Sequence, residues 1–188
     1  MDSYYDGEEL REFGFRRCGK NVRIHRTAGV YDPEQTEIGD NVRIDDWCVL
    51  SGKVVLGNFI HIGVSTRLLG STAGVFMRDF SGVSYNSTIT ANTEDYSGEH
   101  LTNPTVPQKY RQIRQGSVVL EKHVVIAMHC VVLPGVTIGE GAAIGAMSLV
   151  NKNVEPWSIS FGIPARRIKD RRRDLLELEA ALMKELAT

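Results

Sequence analysis

A six-residue repeat of branched aliphatic residues constrains the fold of this chain more than any other feature. Steps of six from Ile38 to Leu68, and again from Leu120 to Val150, meet Ile, Leu or Val at every stop. An α-helix would scatter these positions around its circumference, because it turns every 3.6 residues, and a flat strand alternates with a period of two. The repeat therefore predicts a parallel β-helix, in which short strands form flat faces and the same inward position recurs on each face.

Three faces make one coil of about 18 residues, so the repeat predicts an all-β chain of about six coils across residues 21–151. The period slips at residues 31–36 and 70–74, which we interpret as short insertions. A larger interruption, residues 91–116, is polar, contains proline and has no period. A loop of this length on a regular solenoid is more often functional than decorative, so we expect it to carry part of a site.

The two ends of the chain have helical patterns instead of the six-residue period. We expect one short helix over residues 7–17 and a second over 169–186, whose leucines fall on one face. Such helices would cover the open edges of the solenoid, which otherwise pair with other chains. The predicted organisation is an N-terminal capping segment, a β-helix with an external loop and a C-terminal helix, at residues 1–20, 21–168 and 169–188.

The composition excludes several classes of protein. The 188 residues include 22 Lys and Arg against 23 Asp and Glu, and this balance argues against a nucleic-acid or membrane-surface partner. No apolar run approaches the roughly 20 residues that span a bilayer, and the N-terminus is too acidic for a secretory signal. The three cysteines are widely spaced, which predicts neither a disulfide framework nor a metal site. We expect a cytoplasmic protein without a metal.

Four segments outside the aliphatic repeat resemble a known family. They are DYSGE, LTNPTVP, LPGVTIG and GIPA, at residues 95–99, 101–107, 133–139 and 162–165. With the repeat, they resemble the hexapeptide-repeat acyltransferases, and in particular the bacterial enzymes that modify nucleotide-linked amino-deoxysugars or surface polysaccharides. The resemblance implies a left-handed parallel β-helix, a homotrimer with active sites between neighbouring subunits, and acetyl-CoA as the donor of the acyl group.

The same resemblance frames the search for catalytic groups. The galactoside-type members use a histidine early in the excursion from the coils, but the matching stretch here, residues 92–95, has none. Asp95 and Glu99 are the carboxylates of this region, and His123 follows just inside the next coil. We take these three as catalytic candidates, since a poised carboxylate or imidazole can accept a proton from the acceptor.

The missing histidine also bears on the reaction. A neutral amine attacks a thioester without prior loss of a proton, so we favour N-acylation of a nucleotide-linked amino-deoxysugar for surface polysaccharide synthesis. O-acetylation of a sugar or saccharide hydroxyl is the alternative, and a xenobiotic acceptor stays open. Two remote alternatives are a solenoid that only mediates assembly and a metal lyase like the carbonic anhydrases on this fold, which needs three converging histidines.

The resemblance also assigns binding residues. Asn86 matches an asparagine that contacts the acceptor in the galactoside-type enzymes, and Ser84 and Tyr85 share its corner. The pantetheine arm of coenzyme A is expected at small corner residues, which here are Ala127, Met128 and Ala146. Residues that match the nucleotide end of coenzyme A, where cations suit a polyanion, are Asn151, Lys152, Pro164, Arg166 and Lys169.

Overall fold

Short parallel strands stacked in three rows build the computed structural model, which describes residues 3–187. In chain order the elements are α1 (Gly7–Glu12), β1 (Arg17–Cys18), β2 (Arg23–Ile24), β3 (Gly29–Tyr31), β4 (Thr36–Ile38), β5 (Arg43–Ile44), β6 (Val49–Leu56), β7 (His61–Ile62), β8 (Arg67–Met77), β9 (Gly82–Val83), β10 (Thr88–Thr90), β11 (Asn92–Glu94), β12 (Ile113–Gln115), β13 (Val118–Leu120), β14 (Val125–Ile126), β15 (Val131–Val132), β16 (Thr137–Ile138), β17 (Ala143–Ile144), β18 (Leu149–Val150), β19 (Ser158–Gly162), β20 (Ala165–Asp170) and α2 (Leu175–Leu186).

The three rows are the sides of a prism. Side 1 contains β2, β5, β7, β9, β14, β17 and β19. Side 2 contains β3, the first halves of β6 and β8, then β10, β15 and β18. Side 3 contains β1, β4, the second halves of β6 and β8, then β13 and β16. The predicted parallel β-helix is confirmed.

The aliphatic repeat forms the interior of this prism. The residues at six-residue steps from Ile38 to Leu68 and from Leu120 to Val150 are all 3% exposed or less. Parallel pairing places each aliphatic side chain on the aliphatic side chain of the next coil. Ile62, for example, lies between Ile44 below and Val83 above. Here "above" means toward the C-terminal coils. Burial of these stacked side chains supplies the main driving force for folding.

The short insertions are absorbed at the corner between sides 2 and 3. β6 and β8 run unbroken around this corner, and their register shifts at Gly52. A Cβ atom at Gly70 would lie 1.9 Å from the carbonyl oxygen of Lys53, so only glycine allows the backbones of β6 and β8 to approach this closely. The glycine-rich composition of this stretch follows from that close approach.

Side 1 has seven strands, one coil more than the period predicts. The extra coil pairs β19 on β17, which places Ser160 opposite Ile144. Ser160 is buried but is not aliphatic, so the repeat does not mark this coil. β20 then folds back antiparallel on β19 and closes the upper end.

Both terminal helices are shorter than predicted. α1 is capped by Asp6, whose side chain accepts from the backbone of Glu9, and it ends at Glu12 because residues 17–18 already form β1. α2 begins at Leu175 and not at residue 169, because β20 occupies residues 165–170. The division at residues 20 and 168 stays a prediction, and residues 1, 2 and 188 of its outer segments lie outside the described residues. Within the described chain, neither helix combines the length and apolarity that crossing a bilayer requires.

Candidate active site

The segment 91–116 leaves the solenoid as a hairpin at the corner between sides 2 and 3. Its base is the antiparallel pair β11 and β12, and the backbone N–H of Gly116 donates to the carbonyl of Ala91 at 3.0 Å. This closure returns the chain to its starting point, so β13 continues directly on β8, with Val118 opposite Val75. The hairpin therefore projects from the prism without interrupting the interior column.

The carboxylate of Asp95 is enclosed by donors from this hairpin, and the residue is 3% exposed. Ser97 donates from Oγ to Oδ2 at 2.7 Å and from its backbone N–H to Oδ1 at 3.2 Å. Arg114 donates from Nη2 to Oδ1 at 2.8 Å, and Nδ1 of His100 lies 3.3 Å from Oδ2. The hydrogen bonds from Ser97, supported by His100 and by the charge of Arg114, hold the pKa of Asp95 well below its usual range.

A carboxylate that stays ionised is a weak base, but it strongly favours positive charge beside it. It can orient an amine and stabilise the charge that develops on nitrogen during attack on a thioester. The exposed Glu99 is close by, because the potential ligand atoms of Asp95, Glu99 and His100 all lie within 4.8 Å of one another. Sequence reasoning missed Arg114, which lies 19 residues beyond Asp95 in an aperiodic segment and has no signal of its own.

His123, the third catalytic candidate, belongs to a stack of aromatic rings at the corner between sides 3 and 1. The rings of Phe59 and Phe80 stack with centroids 4.6 Å apart, and Phe80 stacks on His123 at 5.3 Å. One coil above His123 lies Gly141, with φ of +66°, where a Cβ atom would come within 2.5 Å of the Trp157 ring. Glycine at this position lets the indole of Trp157 fold down over the stack, 6.3 Å from the His123 ring.

Helix α2 covers this aromatic stack. Glu179 on α2 accepts from Nε2 of His123 at 2.8 Å and from Nζ of Lys122, and Arg171 donates to the backbone carbonyl of His123 at 2.9 Å. Because a carboxylate can only accept, the Nε2 atom of His123 carries a proton here. His123 is buried and holds the helix in place, and this geometry argues against the catalytic role that the sequence led us to consider.

The predicted acceptor and pantetheine residues lie together at the corner between sides 1 and 2. There each of five successive coils turns through a non-glycine residue with positive φ, and backbone hydrogen bonds of 2.9–3.0 Å stack these coils at the corner. We call the five residues the 1–2 corner column: Trp47, Ser65, Asn86, His129 and Met147.

The column joins two sets of residues that the sequence presents separately. Ser84 is half-buried, and Tyr85 and Asn86 are exposed. The coil of Ala127 and Met128 lies directly above them, and Ala146 follows on the next coil, since Val83 pairs with Ile126 and Ile126 with Ile144. An acceptor at Asn86 and an acyl carrier above it would therefore meet along one straight corner.

The residues predicted for the nucleotide end of coenzyme A are only partly brought together. Asn151, Lys152 and Arg166 line one cavity of about 360 Å³ at the upper end of the prism. Pro164 lies in the turn between β19 and β20, at the end of the 1–2 corner. Lys169 is exposed on β20 and is not part of that cavity.

The hairpin carboxylates and the 1–2 corner column lie at different corners of the prism. Side 2 separates Asn86 from Ala91, where the hairpin begins, by about 15 Å of extended chain. Within residues 3–187, no hydrogen bond or ion pair joins Asp95 or Glu99 to the column. One chain therefore presents the two halves of the predicted site on separate surfaces.

The histidines do not converge either. His123 lies at the corner between sides 3 and 1, whereas His129 lies at the 1–2 corner, and His61 binds the carboxylate of Asp45 at 2.8 Å. Across the described part of the chain, these side chains do not form the three-histidine site that a metal lyase would need.

Comparison with known proteins matches these features to acyltransferases. The family model of the bacterial transferase hexapeptide (six repeats) matches residues 117–152. A dTDP-4-amino-4,6-dideoxy-D-glucose acyltransferase of Escherichia coli is 41% identical over 181 residues, covering 95% of this chain and 94% of that protein. A probable macrolide acetyltransferase of Lysinibacillus sphaericus is 35% identical over 147 residues, covering 76% of this chain and 69% of that protein.

A solved structure matches over the full length. AntD, an N-acyltransferase from Bacillus cereus in complex with dTDP and 3-hydroxybutyryl-CoA, superposes with a TM-score of 0.96 and 44% identity, and all of each chain is covered. The superposition over the full length shows that the two chains share one fold. By its repeat, its coils and this full-length similarity, the chain belongs to the hexapeptide-repeat acyltransferases.

Proposed function

We propose that this chain is an N-acyltransferase that moves an acyl group from coenzyme A to the amino group of a dTDP-linked 4-amino-4,6-dideoxysugar. The amine nitrogen attacks the thioester carbonyl, a C–N bond forms, the C–S bond breaks, and the amine proton leaves with the thiol. The observation that carries the proposal is Asp95, whose carboxylate is held ionised by Ser97 and Arg114. Such a group suits an amine, which needs its developing charge stabilised, better than a hydroxyl, which needs a strong base.

We further propose that the active enzyme is a homotrimer with its sites between copies. Asp95 and Asn86 lie at different corners of one chain, so a molecule of sugar size can contact both only if the hairpin of one copy reaches the column of the next. A closed three-fold ring satisfies this for every copy. The product is expected to serve surface polysaccharide synthesis in the cytoplasm, where nucleotide-linked sugars and acyl-CoA are both available.

One observation favours O-acylation as the second candidate. Nδ1 of His100 lies 3.3 Å from the ionised Asp95 carboxylate, and a histidine oriented by a carboxylate is the usual base for a hydroxyl acceptor. His100 is partly exposed, so its other ring nitrogen could reach an acceptor from solvent. This reading requires activity on a substrate whose acceptor group is a hydroxyl.

The experiment compares two acceptors that differ at one position. Release of free thiol from acetyl-CoA and 3-hydroxybutyryl-CoA is measured with dTDP-4-amino-4,6-dideoxyglucose and with dTDP-6-deoxyglucose, which carries a hydroxyl in place of the amine. We expect turnover with the amine only, and an amide product by mass spectrometry. Turnover of the hydroxyl compound at a similar rate would favour O-acylation, and turnover of neither would overturn the proposal.

The shared site is tested by mixing inactive chains. Asp95→Ala and Asn86→Ala chains are unfolded, mixed in equal amounts and refolded together. If each site takes Asp95 from one copy and Asn86 from its neighbour, about one quarter of the sites are intact and activity returns to that fraction. If both residues act within one chain, the mixture stays inactive. Each variant refolded alone, and wild-type protein taken through the same steps, are the controls.

A further inference from the structure

The 1–2 corner column continues below Asn86 toward the N-terminal coils. Ser65 stands one coil below Asn86 and Trp47 two coils below, with φ values of 57°, 60° and 60° from Asn86 down to Trp47. The backbone N–H of Asn86 donates to the carbonyl of Val64, and that of Ser65 to the carbonyl of Asp46, both at 2.9 Å. Since paired strands are about 4.8 Å apart, Trp47 lies about 10 Å below Asn86 on a straight line.

Trp47 presents a large aromatic surface to solvent. It is 63% exposed, and among residues 3–187 its indole has no aromatic or cationic partner. The other tryptophan of the chain, Trp157, is 8% exposed and packs in the aromatic stack under α2. An exposed indole at a rigid corner offers a flat face on which a nucleobase can stack.

Arg67 lies on the coil between Trp47 and Asn86. It begins β8 two residues after Ser65, is exposed, and its backbone pairs with Thr88 above. No carboxylate within the described residues forms an ion pair with its guanidinium, in contrast to Arg43, which binds Asp45 at 2.6 Å. An exposed guanidinium without a carboxylate is well suited to bind phosphate oxygens.

The charges nearby fix the order along the column. The carboxylate of Asp45 is paired with Arg43 and contacts His61. Asp46, next to Trp47 in the chain, forms no ion pair among the described residues. Repulsion by Asp46 disfavours phosphate at the level of Trp47 and favours it one coil higher, at Arg67. From Trp47 upward, the column and the adjoining Arg67 offer an aromatic face, a guanidinium and an amide in that order.

We infer that Trp47 and Arg67 bind the nucleotide of the acceptor, with the pyrimidine base stacked on the indole and the diphosphate at the guanidinium. Base, diphosphate and sugar then follow one another from Trp47 through Arg67 to Asn86. The acyl carrier approaches from the opposite end, past Met128 and Ala146, so that amine and thioester meet between Asn86 and Met128. This inference rests on the proposed function, because it assigns a place to the nucleotide of that substrate.

The test uses dTDP and thymidine as probes of the whole protein. Trp47→Ala should weaken dTDP binding by about 10- to 100-fold, the range that loss of one base–aromatic stack produces, whereas Trp47→Phe should retain most of the affinity. Arg67→Ala should weaken dTDP by about 10-fold, as expected for a lost charge-assisted contact, and should leave thymidine unaffected. Coenzyme A binding should stay within about twofold in all variants, and Arg17→Ala, on side 3, is the matched control for loss of an exposed guanidinium.

Intrinsic fluorescence gives an independent readout. Stacking of the base should quench the exposed Trp47, and the quench should vanish in Trp47→Phe, where only the buried Trp157 remains. If wild-type protein binds dTDP and acylates the amino sugar while both alanine variants bind dTDP as tightly, the nucleotide lies elsewhere and only this inference fails. If wild-type protein neither binds dTDP nor acylates the amino sugar, the proposed function fails, and this inference with it.

Discussion

Replacing Glu179 by glutamine should release the C-terminal helix from the solenoid while the coils stay folded. Glu179 forms ion pairs between α2 and the coils, with Nε2 of His123 at 2.8 Å and with Nζ of Lys122. Its side chain is 16% exposed, and that of His123 is 6% exposed, so solvent screens their contact weakly. The helix has 12 residues, none of them buried, and an isolated helix of that length is marginal in water.

The size of the effect follows from these contacts. A shielded hydrogen bond to a charged group contributes about 1.5–3 kcal/mol to the free energy that holds the helix on the coils. The more exposed pair of Lys122 and Glu179 contributes about 0.2–1 kcal/mol. Glutamine keeps a neutral acceptor for His123, so we expect a net loss of about 1–3 kcal/mol in docking of the helix. Because 1.4 kcal/mol is a factor of ten, hydrogen-exchange protection of α2 should fall by roughly 5- to 150-fold.

Hydrogen exchange read by mass spectrometry locates the loss. Peptides from residues 175–186 should lose protection, while peptides from residues 118–132 should not. Glu177→Gln is the control, since Glu177 is exposed on the same helix and forms no ion pair among the described residues. Unchanged protection of α2, or equal loss in the coils, would refute the reasoning.

Acidification gives the same link a second test. The hydrogen bond from Lys122 lowers the pKa of Glu179 in the folded state, so its contribution is full above the ordinary carboxyl pKa of about 4.3. The contribution is lost as the pH falls through the lower folded value. Protection of α2 should therefore fall below about pH 4 in wild-type protein, and it should change less over that interval in Glu179→Gln.

Three further predictions concern the site and the core. Asp95→Asn should lower turnover by roughly 10²–10⁴ with coenzyme A binding intact. Because the pKa of Asp95 is depressed, any loss of wild-type activity with acid should follow protonation of the acceptor amine. Steady-state kinetics against pH, on the variant and on wild-type protein, measure the two effects. Unchanged turnover in Asp95→Asn would remove Asp95 from the mechanism. Arg166→Ala should mainly raise the Michaelis constant for acyl-CoA, since Arg166 lines the cavity with Lys152, and a defect in turnover alone would contradict that placement. Leu68→Ala should lower the free energy of unfolding by about 2–5 kcal/mol in denaturant, because Leu68 is fully buried in the aliphatic interior. Thr88→Ala, at a half-buried position on side 2, should lower it far less. Equal losses would count against the aliphatic interior as the source of stability.

The sequence predicts the coils well because their packing is local and periodic. The two-residue strands from β2 to β18 each contribute one buried aliphatic residue, such as Ile44 or Ile62, and parallel pairing repeats that choice in the next coil. The period fails where burial no longer requires an aliphatic side chain, as at Ser160 in the seventh coil. The number of coils is thus predicted less well than their shape.

The site is less predictable, because its contacts join residues that no period relates. Asp95 stands out as a carboxylate in a long polar loop, but its partner Arg114 is fixed only by the pairing of β11 with β12. In the sequence, His123 is as good a catalytic candidate as Asp95. In the fold it is buried, because α2 packs over it and Glu179 accepts a hydrogen bond from it. The sequence shows where α2 forms but not which surface it covers.

The register across the hairpin explains how one fold can hold both a stable core and a variable site. β13 pairs on β8 with Leu120 opposite Met77, as if residues 91–116 were absent, so the interior column does not depend on what the hairpin carries. The 1–2 corner column is equally well fixed, because a backbone hydrogen bond joins each coil of the column to the coil below it. Exchange of an exposed residue of the hairpin or of the 1–2 corner column therefore changes which groups face the substrate at little cost in stability. The spacing of about 4.8 Å per coil sets how far apart the contacts to acceptor, acyl group and nucleotide can lie.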